Sequence, residues 1–276
     1  MPTPPTLKTA NLKVGWDGQA VATIGDITIN CGEVVVLAGP NGCGKSTALK
    51  TIARQIKATE GTVLIDGKDH CAITAQEFAR HVSYVPQTVD LHIDLTVNDL
   101  VALGRNPHQS WWSWQTSSLD RCAIEDALRK TDTYALRHKS VASLSGGERQ
   151  RASIAMALAQ RSQFLLMDEP TAHLDFRHQI ELVELLAELR AQGLGIMVVL
   201  HDLNLMSRLS DQIILLKRNL DRPSHVAIAG PPNSVLTRDH LQLVYEVEVC
   251  IMKDNATGLT SFTPVSSLKG NVDADA

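Results

Sequence analysis

The fold of this chain is decided by the stretch Gly39-Pro40-Asn41-Gly42-Cys43-Gly44-Lys45-Ser46. It matches the phosphate-binding pattern G-x-x-x-x-G-K-[ST] at every required position. The glycines of this pattern let the backbone wrap closely around phosphate groups, with its N–H groups pointing inward. Lys45 then reaches the β- and γ-phosphates, and the hydroxyl of Ser46 is a ligand for Mg²⁺. The stretch therefore predicts a site for a triphosphate.

The flanking segments supply the context that this pattern requires. The run Val34-Val35-Val36-Leu37-Ala38 is apolar and rich in β-branched residues, which predicts a short buried strand. A helix is expected from Lys45 to Arg54, with its positively polarised N-terminus facing the phosphates. Strand, glycine loop and helix thus follow in the order that phosphate binding needs. By itself the loop identifies a nucleotide site and no particular task.

Composition limits the class of protein. The chain has 276 residues, of which 44% are hydrophobic and 20% are charged, as in ordinary globular proteins. Its net charge of −4 gives no electrostatic reason to expect a nucleic acid partner. No apolar run approaches the ~18 residues of a membrane span, and the N-terminal residues lack a signal-peptide pattern. We therefore expect a chain that does not cross a bilayer unaided.

Five cysteines are scattered along the chain without any C-x-x-C pair. This pattern predicts neither a disulfide framework nor a zinc site, and it fits a reducing cytoplasm. Cys43 lies inside the phosphate loop, where a helix N-terminus lowers the pKa of a thiol. Cys43 is therefore either a reactive thiol or a small side chain without a functional role.

Periodicity divides the chain into α/β units and a helical part. Short alternating stretches from Leu7 to Ile29 predict antiparallel strands ahead of the phosphate-loop strand. From Thr96 the pattern is helical for about sixty residues, beginning with a capping box to Asp99, which predicts a helical insertion. Inside it, Trp111-Trp112-Ser113-Trp114 is either an exposed interface or a local core under a loop. The last residues, Asn271 to Ala276, are expected to form a frayed tail.

Polar residues follow two apolar strand patterns directly. Asp168 and Glu169 come after Phe164-Leu165-Leu166-Met167, and His201 comes after the strand predicted from Gly195 to Leu200. Open α/β sheets bind ligands at the carboxyl ends of their strands. Asp168 is therefore a candidate for holding Mg²⁺, and Glu169 for orienting a water molecule. A lone histidine is commonly structural, yet His201 is expected on the same edge as the two acids.

Two further places are candidates for nucleotide contacts. The stretch Leu144-Ser145-Gly146-Gly147-Glu148 precedes a strongly apolar helix predicted from Arg149 to Ala159, which implies a second anion-binding helix start. Trp16 is an aromatic residue in a turn ahead of the phosphate loop. From the residues alone, Trp16 either stacks on a base or packs in the protein.

Together these stretches resemble the ATP-binding-cassette (ABC) ATPases over nearly the whole chain. The resemblance identifies Gly39 to Ser46 as Walker A, Gln87 as the Q-loop residue, Leu144 to Glu148 as the signature, Phe164 to Glu169 as Walker B, Leu174-Asp175 as the D-loop and His201 as the switch histidine.

This resemblance implies an α/β fold, namely a P-loop NTPase (RecA-like) core with an antiparallel β subdomain and an inserted α-helical subdomain. We expect a single ABC ATPase domain over residues 5–270. Its core and β subdomain are formed by 5–87 and 155–270, and its helical subdomain by 88–154.

The resemblance also implies how the site works. Two copies of the chain face head to tail, and each ATP lies between Walker A of one copy and the signature of the other. Glu169 is then the general base on the attacking water, His201 contacts the γ-phosphate, and Trp16 stacks on the base. Phosphates and metal are held by Lys45, Ser46 and Thr47, with Gln87 and Asp168 completing the Mg²⁺ shell, while Ser145 and Gly147 reach the nucleotide of the other copy.

Two positions depart from the common family pattern. Glu148 stands where glutamine is usual in the signature, a change that we expect to be tolerated. Ala172 and His173 replace a small polar pair of the D-loop, which leaves the hydrogen bonds that this loop makes across the dimer open. Neither change removes a metal ligand or the expected base.

Within the family, the stretches at 103–108, 170–179 and 200–204 resemble the ATPases of ferric siderophore, haem and vitamin B12 importers, and overall similarity puts ferric siderophore first. Such a subunit lies on the cytoplasmic side of the inner membrane, where its helical insertion binds an integral membrane permease served by a substrate-binding protein. The alternative is a soluble ABC ATPase that acts in cytosolic assembly, such as iron–sulfur cluster scaffolding.

Overall fold

The computed structural model describes residues 4–87, 95–109, 117–172, 174–219, 221–254 and 258–267. The tryptophan cluster at 111–114, His173 and the tail at 271–276 lie outside these residues. The strands are β1 (Thr6–Trp16), β2 (Gln19–Gly25), β3 (Thr28–Asn30), β4 (Val34–Ala38), β5 (Glu60–Ile65), β6 (Lys68–Asp69), β7 (Val82–Val85), β8 (Phe164–Asp168), β9 (Gly195–Val199), β10 (Gln212–Lys217), β11 (Ser224–Gly230), β12 (Val247–Lys253) and β13 (Thr260–Ser267).

The helices follow the amphipathic segments of the sequence. Short 3₁₀ turns lie at Asn106–His108, Tyr134–Leu136 and Val141–Ser143. The α-helices are α1 (Lys45–Ile52), α2 (Ala75–His81), α3 (Val97–Leu103), α4 (Ser118–Lys130), α5 (Gly146–Ala159), α6 (Phe176–Ala191), α7 (Leu203–Leu209), α8 (Pro232–Val235) and α9 (Arg238–Tyr245).

Eleven strands of the described segments form one mixed sheet. Its order is β6-β5-β1-β2-β11-β10-β4-β9-β8-β7, and β3 pairs with β1 beside this path. The five strands from β10 to β7 are parallel, so their carboxyl ends meet at one edge. β1 pairs antiparallel with β2, β3 and β5 and forms the predicted β layer. The sheet therefore places the ends of β4, β7, β8 and β9 side by side.

Helices cover both faces of the parallel strands. Val34 and Val36 of β4 pack with α6, α7 and α9 in one core, whereas Val35 and Leu37 pack with α1 in the other. Successive side chains of a strand point to opposite faces, so a strand covered on both sides is apolar at every position. This explains why the run that precedes the phosphate loop contains no polar residue.

The predicted helical insertion contains α3, α4 and α5, which have a small core of their own. α5 crosses the predicted subdomain boundary at 154/155 and continues to Ala159. Ala152, Ala155 and Ala159 of this helix pack in the helical core, whereas Ile154 packs in the core beneath the sheet. One continuous helix therefore joins the two parts, and the boundary does not fall at a linker.

Candidate active site

The phosphate loop connects β4 to α1 through conformations that favour glycine. Gly39 and Gly44 have φ angles of 146° and 94°. A Cβ atom on Gly39 would lie 2.4 Å from the carbonyl oxygen of Leu216, and one on Gly44 would lie 2.9 Å from Cβ of Ala22. Gly44 caps α1 without a side-chain hydrogen bond, so the first N–H groups of the helix are left for an anion.

Lys45 and Ser46 begin α1 and carry the polar groups of the loop. Lys45 is buried, and its ammonium group donates to the carbonyl oxygens of Gly39 at 2.9 Å and Pro40 at 3.0 Å. Ser46 donates its hydroxyl to Oδ1 of Asp168 at 3.0 Å, across a separation of 122 residues. The fold thus brings the phosphate loop and the end of β8 into contact.

Asp168 ends β8 and is only 2% exposed. Burial raises the pKa of its carboxyl group and the charge of Glu169 raises it further, whereas the hydrogen bond from Ser46 and the charge of Lys50 lower it. Carboxylate and hydroxyl oxygens are the ligands that Mg²⁺ prefers. A cation here would offset the negative charge that burial disfavours, so these residues fit the predicted metal.

Glu169 lies between two partners from other strand ends. Its Oε2 accepts a hydrogen bond from Nε2 of Gln87 at 2.8 Å, and its Oε1 lies 2.7 Å from Nε2 of His201. Gln87 follows β7 and His201 follows β9, the two strands that flank β8. Glu169 has a φ angle of 48°, a left-handed conformation that costs free energy in a non-glycine residue. The backbone and both partners therefore fix the direction of this carboxylate.

The other predicted residues of the loop vary in exposure. Asn41 is exposed, Pro40 and Thr47 are half-buried, and Cys43 is fully buried. Burial raises the pKa of the Cys43 thiol and outweighs the positive charge of Lys45, which lowers it. Burial of the side chain and the raised pKa of the thiol therefore disfavour a reactive thiolate at Cys43.

Trp16 lies at the end of β1 and is 53% exposed. It pairs with Gln19 of β2, the strand that contacts the loop through Ala22 against Gly44. The side chain is thus available beside the loop, although none of the contacts described for it reaches the phosphate-binding residues.

The signature segment forms the start of α5. Ser145 is the N-cap residue, and its hydroxyl accepts a hydrogen bond from the backbone N–H of Glu148 at 3.3 Å. The carboxylate of Glu148 in turn accepts a hydrogen bond from the backbone N–H of Ser145 at 2.8 Å. This hydrogen bond lowers the pKa of the Glu148 carboxyl group. Either glutamate or glutamine completes such a capping box, which accounts for the departure at this position.

The signature segment contacts the D-loop of its own chain. Across the described segments, none of the hydrogen bonds of Ser145 or Glu148 reaches residues 39–47. Leu174 of the D-loop instead lies against Gly147, at 3.3 Å from the position of a Cβ atom. Asp175 caps α6 by accepting from the N–H of His178 at 2.9 Å. The D-loop and the signature thus contact each other, while Ser46 with Asp168 and Glu169 with Gln87 and His201 bond at the sheet edge.

Sequence analysis missed three side chains near the site. The guanidinium of Arg218 lies 3.8 Å from the position of a Cβ atom on Gly42. Tyr245 of α9 lies near Gly39 and Cys43, where burial raises the pKa of its phenol. Tyr84 of β7 is buried near Asp168, and burial raises the pKa of its phenol as well. Only Arg218 carried a sequence signal, because it directly follows the parallel strand β10.

Comparison with known proteins gives consistent matches. The family model described as ABC transporter matches residues 24–172. The petrobactin import ATP-binding protein FpuC of Bacillus anthracis is 40% identical over 240 residues, which cover 87% of this chain and 85% of that protein. The ferric enterobactin transport ATP-binding protein FepC of Escherichia coli is 37% identical over 261 residues, 94% of each chain. The hemin import ATP-binding protein HmuV of Streptomyces coelicolor is 36% identical over 253 residues, 92% of this chain and 88% of that protein.

Solved structures share the fold. A metal-chelate type ABC transporter in an inward-facing conformation matches with a TM-score of 0.80 at 24% identity, covering 95% of this chain and 98% of that chain. A dimeric bacterial ABC transporter cassette matches with a TM-score of 0.70 at 29% identity, covering 82% of this chain and 98% of that chain. The predicted α/β fold class is therefore confirmed.

Proposed function

We propose that this chain, which belongs to the ABC transporter family, is the ATP-hydrolysing subunit of an importer for iron–siderophore complexes. One observation carries the catalytic part of the proposal. Glu169 is held between Gln87 and His201 at the same sheet edge as the phosphate loop. A carboxylate fixed beside a triphosphate site is placed to act on a water molecule.

Phosphate binding is assigned to the loop from Gly39 to Ser46 and to Thr47. Lys45 would exchange its hydrogen bonds to the carbonyls of Gly39 and Pro40 for phosphate oxygens. Ser46, Asp168 and Gln87 would hold Mg²⁺, which supplies positive charge to the β- and γ-phosphate oxygens when bound. Trp16 would stack on the adenine, since it is exposed on the hairpin that contacts Gly44.

Hydrolysis is assigned to Glu169 as general base. Its carboxylate would accept a proton from the water that attacks the γ-phosphorus, and the bond to the β–γ bridging oxygen would break to give ADP and phosphate. His201 and Gln87 hold the carboxylate from both sides, and His201 would also contact the γ-phosphate. General-base catalysis contributes typically ~10²- to 10⁴-fold to a rate.

A second copy of the chain is proposed to complete the site. Ser145 and Gly147 lie at the start of α5, where backbone N–H groups and the helix N-terminus favour an anion. Because the hydrogen bonds described for Ser145 and Glu148 are local and none reaches residues 39–47, a head-to-tail dimer is the arrangement that we propose brings the signature to a nucleotide. Asp175 and the D-loop, which contact the signature through Leu174, would lie at this interface.

The helical subdomain is proposed to bind the membrane permease. A groove of about 690 Å³ lies across α3, α4 and the turn that follows. Apolar side chains such as Ile124 and Leu128 line it together with Arg121, Glu125 and Arg137. None of the helices in the described segments has the length and apolar character needed to span a bilayer. Since relatives of this chain are named as ATP-binding proteins of import and transport systems, the chain is proposed to act peripherally, on the cytoplasmic face of the inner membrane.

The cargo is inferred from relatives. Petrobactin and ferric enterobactin appear in the names of two of them, which supports an iron–siderophore complex ahead of haem or cobalamin. Hemin appears in the name of a third relative at slightly lower identity. The soluble assembly ATPase is not favoured, because these relatives are named as import or transport proteins. A substrate-binding protein would deliver the cargo to the permease.

Uptake by a deletion strain tests this proposal. Loss of the gene should abolish uptake of radioactive iron presented as a ferric siderophore. The wild-type chain should restore uptake, whereas Glu169→Gln should not. Unchanged siderophore uptake in the deletion strain, with loss of hemin or cobalamin uptake instead, would overturn the assignment of the cargo.

A further inference from the structure

Outside the candidate active site, three metal-ligating side chains meet where β6 ends. Asp69, His70 and Cys71 are consecutive in sequence. A carboxylate oxygen, a ring nitrogen and the thiol sulfur from these residues all lie within 4.8 Å of one another. Oxygen, nitrogen and sulfur are the three kinds of ligand that Zn²⁺ accepts in proteins.

Two of the three distances between these atoms match tetrahedral coordination. Nδ1 of His70 lies 3.3 Å from Oδ1 of Asp69 and 3.5 Å from Sγ of Cys71. Ligands at about 2.0–2.1 Å for nitrogen or oxygen and about 2.3 Å for sulfur are about 3.3–3.6 Å apart around a tetrahedral Zn²⁺. Both distances are therefore compatible with one ion bound by these atoms.

Neighbouring groups hold the ligands in place. The His70 side chain is buried, and its ring meets Phe78 of α2 edge to face with centroids 5.9 Å apart. Thr62 donates its hydroxyl to Oδ2 of Asp69 at 2.8 Å, while Oδ1 accepts a hydrogen bond from the backbone N–H of Cys71 at 2.7 Å and lies 3.3 Å from Nδ1 of His70. Such outer contacts orient metal ligands and tune their affinity. The side chain of Asp69 is 45% exposed and Cys71 is exposed, so an ion can enter from solvent.

We propose that Asp69, His70 and Cys71 bind a Zn²⁺ ion, with water as the fourth ligand. Binding would form a bond from Zn²⁺ to the thiolate of Cys71, whose proton passes to solvent, and one to Nδ1 of neutral His70 with its proton on Nε2. The cysteine spacing predicted no zinc site, because these ligands are adjacent in sequence and do not form a C-x-x-C pair. Here the turn after β6 brings adjacent residues to one point.

The probe for this site is Co²⁺, which takes the place of Zn²⁺ and reports thiolate ligation by its absorption. Co²⁺ added to the untagged, nucleotide-free full chain should give a sulfur-to-metal charge-transfer band and tetrahedral d–d bands. Zn²⁺ should abolish both at one equivalent. Titration calorimetry with Zn²⁺ alone then gives the affinity.

Two cysteine variants make the test specific. Cys71→Ser should remove the charge-transfer band and weaken Zn²⁺ binding by more than the ~10-fold typical of outer-shell changes. Cys122→Ser is the matched control, because Cys122 is an exposed cysteine on α4 outside this cluster, and it should change neither quantity. Thr62→Val should weaken binding about 10-fold while the band remains.

The site is overturned if the wild-type chain shows no thiolate band, or if Cys71→Ser and Cys122→Ser bind Zn²⁺ alike. Loss of binding in Glu169→Gln, with Cys71→Ser unaffected, would place the ion at the nucleotide site and also reject the proposal. Since Cys71 is exposed, its serine variant should fold, whereas a His70 variant also removes a buried ring. The proposal does not depend on the proposed function.

Discussion

The edge of the parallel sheet and the start of α5 hold the two halves of the candidate site, and they are built differently. At the sheet edge, side chains that are far apart in sequence form hydrogen bonds with one another. Ser46 meets Asp168 across 122 residues, and Glu169 meets Gln87 across 82 and His201 across 32. At the start of α5 the bonds are local, between Ser145 and Glu148 three residues later.

One chain forms the sheet-edge half of the site by itself, whereas the signature half would come from a second copy. The sheet edge forms a catalytic arrangement only after the strands have assembled in their order. The signature is a helix cap whose hydrogen bonds are local, between Ser145 and Glu148. If these two halves serve the same nucleotide, changes in either half should lower the same ATP turnover.

The largest effect is expected from Glu169→Gln. Loss of the general base should lower ATP turnover by ~10²- to 10⁴-fold, or ~3–5 kcal/mol of barrier, while Mg-ATP still binds. Phosphate release and calorimetric titration measure the two quantities. The control is Glu181→Gln on α6, an exposed glutamate paired with Arg177, which should leave turnover unchanged. Near-normal hydrolysis by Glu169→Gln would assign the base to another residue.

A smaller effect is expected from Ser145→Ala. A hydrogen bond to a charged group is worth ~1.5–3 kcal/mol, so a lost contact to a nucleotide phosphate should lower turnover about 10- to 150-fold. The control is Ser117→Ala, because Ser117 forms the same capping box with Asp120 at α4. Both variants should lose ~0.5–2 kcal/mol of stability as caps.

The two serines are distinguished by the ATP turnover of their variants and not by stability. If Ser145→Ala and Ser117→Ala lower the melting temperature equally and have equal ATP turnover, Ser145 acts only as a helix cap. The Ser145 hydroxyl at the start of α5 would then have no role in ATP hydrolysis.

Asp168→Asn should separate stability from binding. Burial raises the pKa of this carboxyl group in the folded chain, so its charge disfavours the fold above that pKa. The nucleotide-free variant should therefore melt higher at pH 7.5, by about 2–4 °C for each kcal/mol relieved, and it should lose stabilisation by Mg-ATP.

The gain in melting temperature of Asp168→Asn should depend on pH, and the direction of that dependence follows from the raised pKa. A raised folded pKa means that the folded wild type binds more protons than the unfolded chain, so its stability falls as pH rises from ~4 through the folded pKa. The gain of Asp168→Asn should thus shrink towards pH 4, as measured by differential scanning calorimetry. A variant that melts lower than wild type at pH 7.5 would contradict this account.

The smallest effect concerns Cys43. Burial and a raised pKa make its thiol a poor nucleophile, so iodoacetamide at pH 7.5 should label it more slowly than the exposed Cys122. Mass spectrometry of peptides after timed labelling measures both rates. Faster labelling of Cys43 would mean that the phosphate loop opens and exposes the side chain.

Sequence patterns predicted the elements whose cause is local. β4 covers the predicted residues, because a run of β-branched residues has few alternatives to a buried strand. α1 begins at Lys45 as predicted and ends at Ile52, two residues early. α5 begins three residues before the predicted Arg149, because Ser145 and Glu148 form a capping box that the pattern S-x-x-E already contained.

Features that depend on tertiary structure could not be predicted in the same way. The edge rule for parallel strands put Asp168, Glu169 and His201 together, but not the left-handed backbone of Glu169, which no residue type signals. Tyr245 reaches the phosphate loop from α9, more than two hundred residues later in the chain. Its position depends on how α9 packs against the sheet, which periodicity does not determine.

The most direct test of a site shared between two copies is a mixture of Lys45→Ala and Ser145→Ala. Each variant alone should hydrolyse ATP slowly, because every site in its dimer lacks either the phosphate-binding lysine or the signature serine. Mixed dimers contain one site with both residues intact, so phosphate release by the mixture should exceed that of either variant alone. A mixture whose rate is only the average of the two would contradict the shared site.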